Sequence, residues 1–212
     1  MLFTLITVLA FAGVFFRQTR LHYAEANARS GKGPEAATPS GYGAWLGSHL
    51  KSAFSKAAAL KSWSILADWT KDHDPSWTGW IFAGFGLSLA YLAASGFFYA
   101  IFIPRGMSGF PLLGHMGFGG LFALTLAALL LWRGRAYAPD NGEVETFERK
   151  ILFWALAFFG FVLIVSALGS MLPLFVFDAQ RTFIGVHRYA ALGLVLTAIV
   201  FVDMTLVPSP KA

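Results

Sequence analysis

The sequence predicts an all-α integral membrane protein. It reads as a helical bundle of four core transmembrane helices, plus a short N-terminal transmembrane helix and an amphipathic interfacial helix. Three observations predict this. Hydrophobic residues make up 57% of the 212 and charged residues only 13%, too little polar character to cover a water-soluble domain. Mean hydropathy is +0.62. The apolar residues fall into long unbroken stretches, and a hydrocarbon core of roughly 30 Å needs about 20 such residues to be crossed as a helix.

The first element is the apolar run Leu2–Phe16. It lacks the basic start and small-residue cleavage site of a secretory signal, so residues 1–16 are expected to stay as a transmembrane helix. Residues 17–77 form a cytoplasmic or interfacial segment. Its Glu25–Ser40 portion is rich in Gly, Ala, Pro and charge and reads as an irregular link. Residues 41–70 read as an amphipathic helix. Leu46, Leu50, Phe54, Ala57 and Leu60 recur every three or four residues, with Lys51, Lys56 and Lys61 on the other side. Such a helix suits the headgroup level of a bilayer, or docking on a partner subunit.

Residues 78–207 hold the four core spans, at about Trp80–Ile103, Phe110–Trp132, Ile151–Phe177 and Phe183–Val207. Pro111 suits the start of a helix, where no backbone donor is needed. Pro173 is expected to kink its helix near one end. Residues 208–212 are a short tail.

Charge sets the orientation. Of the 16 Lys and Arg, Arg105, Arg181 and Arg188 lie toward one face, and all the others lie on the loops and tail of the opposite face. Cytoplasmic loops are enriched in basic residues. The N-terminus is therefore expected outside and the C-terminus in the cytoplasm. The net charge of +5 is explained by this bias and calls for no nucleic-acid partner. The partner it does imply is the lipid bilayer.

Function enters through two histidines. His115 and His187 sit inside apolar stretches, and an ionisable ring within a bilayer is costly unless it has a partner. His115 lies about five residues into its span and His187 about four. At roughly 1.5 Å per residue, both lie about 6–8 Å below the same boundary. Two neutral imidazoles at equal depth on neighbouring helices can supply both axial ligands of one b-type haem. Gly114, Gly117 and Gly120 around His115, with Gly119 and Gly185, offer close approach to a flat macrocycle. Ser95 and Gly96 fall in the same half of the first core span and offer another wall. Arg188 and Arg105 are placed to neutralise haem propionates. Two further readings stand beside this one: plain hydrogen bonding between helices, and another ligand role such as a chlorophyll magnesium.

The stretches PLLGHMGFGGLFALTLAALLLW and GVHRYAALGLVLTAIVFV resemble the membrane cytochrome b subunits of bacterial respiratory, quinone-linked oxidoreductases, of the b561-like and nitrate-reductase-gamma-like kind. The Gly-His and His-Arg pairs carry the likeness, over about Thr78–Val207. Many such subunits use four histidines for two haems. The two here imply one. The resemblance implies electron transfer between quinone and the other subunits of a membrane redox complex, a periplasmic one among them, in a bacterial inner membrane. It makes Arg188, Tyr189 and Ser108 candidates for a quinone pocket. The alternative is a cofactor-free or pigment-binding structural subunit of a large respiratory or photosynthetic complex.

Other classes are excluded or disfavoured. The absence of cysteine removes iron–sulfur ligation, covalent haem attachment and thiol catalysis within this chain. There is no phosphate-binding loop, dinucleotide fingerprint, zinc-protease helix or nucleophile elbow. An enzyme acting alone is not expected. Asp203, near the far end of the last span, is expected to pair with Arg133 or Arg135.

Overall fold

The computed structural model describes residues 2–29, 42, 46–48, 76–103, 106–138, 147–173 and 175–206. Five long helices run through them: α1 (Leu2–Arg29), α2 (Ser76–Phe102), α3 (Phe110–Arg133), α4 (Phe147–Met171) and α5 (Phe177–Leu206). All five contain a stretch long and apolar enough to cross a membrane. The protein is a multi-pass membrane protein with five candidate spans. Its outer faces agree: Phe110 and Leu131 are each 88% exposed, an apolar surface that suits lipid and not water. The amphipathic helix expected over 41–70 lies outside the described residues, except that Tyr42 and residues 46–48 are helical. Arg105 and the tail 208–212 also lie outside them.

The chain forms two compact units. One comprises Met1–Thr7 with Trp77–Ala212, the other Val8–Ser76. Within the second, Tyr42 meets the edges of the Phe16 and Tyr23 rings and hydrogen-bonds Thr19 through their hydroxyls. Arg20 lies over the ring of Phe16, 5.7 Å from its centre. These contacts bear on where α1 ends. A helix ending at Phe16 was expected because Arg17 opens a charged run. The helix instead continues to Arg29, and its apolar span reaches Ala24. Arginine stems are long and apolar, so a span can carry them at its end while their charged heads reach water. The N-terminal span is therefore not short.

The first unit is a four-helix bundle. Phe122 and Leu126 of α3, Leu156 of α4 and Leu194 of α5 form its buried centre, with Phe85, Leu89 and Leu92 of α2 packed against them. Helices α2 and α3 are an antiparallel pair. Ser95 meets His115 near the connection, and Phe85 stacks on Phe122 further along. Their connection turns at Gly106 and Gly109, whose φ values of 78° and 64° are ones only glycine adopts cheaply. Pro111 falls in the first turn of α3, as expected.

Helices α4 and α5 lie against each other along their length. Gly169 of α4 sits under the ring of Phe183, and Gly193 of α5 under that of Phe159. Small residues let membrane helices approach closely. At the end away from the histidines, Arg149 donates to the carbonyl of Met204 at 2.7 Å. Nearby, Trp154 donates to that of Tyr137 at 2.9 Å.

Two further differences from expectation lie at the histidine end. Helix α4 ends at Met171, so Pro173 follows the helix and does not kink it. Proline commonly stands just beyond a helix C-terminus because it cannot continue the ladder. Helix α5 begins at Phe177, so the polar stretch Asp178–Thr182 is helical and not a turn. Its Asp178 complements the positive N-terminal end of the helix, and Thr182 donates to the Asp178 carbonyl at 3.0 Å. A polar first turn protrudes from the apolar layer as readily as it breaks the helix.

Candidate functional site: two intramembrane histidines

Each histidine is served by the helix before its own. His115 lies in the second turn of α3, and Ser95 of α2 stands 2.8 Å from its Nδ1. Gly96, next to that serine, has no side chain to hold the ring away. A Cβ there would stand 3.4 Å from His115 Cε1. Tyr91, one turn back on α2, supports the arrangement twice. Its carbonyl accepts the Ser95 hydroxyl at 2.7 Å, and its ring stacks on Phe118 at 4.1 Å.

The second pair repeats the plan. His187 of α5 has its Nδ1 3.2 Å from Ser166 of α4 and 3.2 Å from the Leu163 carbonyl. Ser166 is buried, and its hydroxyl contacts the same carbonyl at 3.1 Å. His187 stands ten residues from the start of α5, not the four expected, because the polar first turn adds to the helix. Counted from the helix starts, the two depths therefore differ, with His115 five residues in and His187 ten. Both rings lie in the half of the bundle nearest the α2–α3 and α4–α5 connections.

The glycines divide sharply. Side chains on a helix advance by roughly 100° per residue. Gly119, four residues after His115, shares its face, whereas Gly117 and Gly120 point toward the back of α3 and are exposed. Gly114 is filled: the Tyr91 hydroxyl lies 2.6 Å from where its Cβ would stand. Gly119 is half-buried with nothing within 4 Å of its missing Cβ, which makes it the glycine with room beside the ring. Gly185 also has nothing within 4 Å of its missing Cβ, but it stands two residues before His187 and so faces away from that ring.

The charged and polar candidates are scattered. Arg188 and Ser108 are exposed. Tyr189 is 46% exposed and meets the ring of Phe3 edge-on at 5.4 Å, the contact of a packing anchor. A concavity of about 400 Å³ opens on the side of the α4–α5 pair, with Val162, Val165 and Ser166 on one wall and Thr182, Phe183 and Val186 on the other. Neither Arg188 nor Tyr189 nor Ser108 lines it.

Ser166, the Leu163 carbonyl and Tyr91 did not emerge from the sequence as site residues. One signal was available for the serines. Ser95 precedes His115 by 20 positions and Ser166 precedes His187 by 21. Among the described residues no group of three or more His, Asp or Glu side chains could hold a metal ion. A site made of protein ligands alone, as for zinc, takes about four. Two imidazoles suit a metal that arrives with its other donors already in place. Compared with family models, curated proteins and solved structures, the chain matches none.

Proposed function

We propose that the chain is a membrane-embedded b-type cytochrome subunit. His115 and His187 hold one haem b between them, and the subunit passes electrons between the quinone pool and partner redox subunits. One observation carries this reading. Two imidazoles from different helix pairs lie in one half of a membrane bundle, each held at Nδ1 by the preceding helix. The residues fit the group. Haem brings four equatorial nitrogens and needs two axial ones, and the room at Gly119 suits a flat ligand beside His115. Bound haem supplies a one-electron couple, and the chain supplies ligands, an apolar surround and a fixed orientation.

The concavity beside Ser166 supplies the apolar slot that a quinone needs. Its wall is one hydrogen bond from His187. It is a better candidate than Arg188, Tyr189 and Ser108, none of which lines it. In this reading Arg188, exposed and next to His187, is the cation offered to a propionate. The basic loops put the α3–α4 connection in the cytoplasm. The histidine half then faces out, and a periplasmic partner is the one within reach. This corresponds to a bacterial inner membrane with the N-terminus outside.

A second reading has its own support. Each Nδ1 already has a protein partner, as in histidines that only tie helices together, and that favours a cofactor-free structural subunit of a larger complex. A reduced-minus-oxidised visible spectrum of the purified protein separates the two. The haem reading expects an α band of b type that disappears in His115→Ala and in His187→Ala. A featureless spectrum, with assembly unaffected by either change, rejects it. Acetone extraction of chlorophyll would identify a pigment protein instead.

A further inference from the structure

We propose that both imidazoles are locked as the Nδ1–H tautomer by two different devices. Ser95 alone holds His115, whereas the Leu163 carbonyl holds His187 with Ser166 in support. The inference concerns the chain's own rings. It deepens the haem reading, on which only its second measurement rests.

The protons can be counted. Ser95 Oγ lies 2.7 Å from the Tyr91 carbonyl, a normal O–H···O hydrogen-bond separation. A carbonyl only accepts, so the serine proton sits on that line. The same oxygen lies 2.8 Å from His115 Nδ1. With its proton spent, the hydroxyl can only accept there, so Nδ1 carries the hydrogen. Nε2 is then the lone-pair atom.

For His187 the answer comes without the serine. Nδ1 lies 3.2 Å from the Leu163 carbonyl, which has no proton to give, so Nδ1 donates. Ser166 Oγ, at 3.2 Å, shares that proton as a second acceptor. Its own proton points to Leu163 as well, at 3.1 Å.

The outcome is the same on both helices and the dependence is not. Removing the Ser95 hydroxyl leaves His115 Nδ1 with no hydrogen-bond acceptor among the described residues. Removing the Ser166 hydroxyl leaves the Leu163 carbonyl in place. Ser95 is therefore a positioning residue in the strict sense, and Ser166 is a reserve. The ring nitrogen that is not metal-bound is set by what the other nitrogen donates to. The lock thus presents Nε2 of both rings as a matched pair of ligand atoms.

The test is ¹⁵N NMR of ring-labelled histidine in the full-length protein in detergent or lipid, without added haem. His115 and His187 are assigned from His115→Gln and His187→Gln. Wild type is expected to show pyrrole-type Nδ1 and pyridine-type Nε2 for both. Ser95→Ala is expected to move His115 toward the other tautomer, Ser166→Ala to leave His187 unchanged, and Ser95→Thr to restore the wild-type pattern. Ser95→Cys, a weak acceptor of similar size, serves if Ser95→Ala does not fold. A wild-type His115 or His187 with hydrogen on Nε2 overturns the inference. So does a Ser95→Ala spectrum unchanged at His115, or a Ser166→Ala spectrum in which His187 changes tautomer.

In haem-loaded protein, Ser95→Ala is expected to raise the midpoint potential more than Ser166→Ala, because a ring without its acceptor donates less to iron. Equal shifts overturn the division of labour while leaving the haem reading standing. Protein that binds no haem removes that reading, yet the NMR result still decides the tautomers.

Discussion

Gly119 and Gly114 lie within a few residues of His115 and have opposite environments. The notch at Gly114 holds the Tyr91 hydroxyl, and a Cβ at Gly119 meets nothing within 4 Å. Empty room beside a ligand-type histidine, on the same helix face, is where a macrocycle would lie. Gly119→Phe is therefore expected to exclude haem by overpacking of about 1–3 kcal/mol, a loss of about tenfold or more in affinity. Its helix content should be unchanged. Gly117→Phe places the same ring on the exposed back of α3 and should keep its haem. Titration of both apoproteins with haem, followed by Soret absorbance, compares them directly, and equal affinities would place the macrocycle elsewhere. The histidines were legible in the sequence because an ionisable ring stands out in an apolar run. The serines were not, since a serine in a membrane helix usually satisfies itself on its own backbone. Ser95 and Ser166 do this as well, and nothing in composition tells such a serine from one that also receives a ring N–H.

Among the helices, α4 and α5 form the closest pair, and glycine makes them so. A Cβ on Gly193 would stand 2.6 Å from the Phe159 ring, and one on Gly169 would stand 2.9 Å from that of Phe183. Neither aromatic ring can flex away as the end of an aliphatic chain can. Gly193→Ala and Gly169→Ala should each destabilise the bundle by about 1–3 kcal/mol, read as a lower unfolding transition in detergent. Gly185→Ala on the same helix meets nothing within 4 Å and should unfold with wild type. The existence of these helices was legible from the length of their apolar runs. Their ends were not. Arg17 and the polar stretch at Asp178 read as stops, but hydropathy marks where a helix leaves the apolar layer. Only backbone hydrogen bonds mark where it ends, as the one from the Gln180 N–H to the Val176 carbonyl shows at the start of α5.

At the scale of the molecule, the remaining variable is which end of the bundle faces out. Phe3 stacks near Phe97 of α2 and meets Tyr189 of α5. The first residues of the chain therefore sit at the histidine end of the first unit. Contacts alone leave the bundle free to point either way. The basic residues break the tie, because Arg133, Arg135, Arg149 and Lys150 flank the short α3–α4 connection, and short loops obey the charge rule best. The absence of cysteine makes the test clean. Ser108→Cys, in the connection between α2 and α3, should react with a membrane-impermeant maleimide in intact cells. Glu148→Cys, at the start of α4, should react only once the membrane is opened. Both sites are exposed, so a lack of labelling in intact cells reports the side and not burial. The reversed pattern would turn the histidine half toward the cytoplasm. The two histidines would keep their geometry, and a redox partner of the kind proposed would have to be a cytoplasmic one.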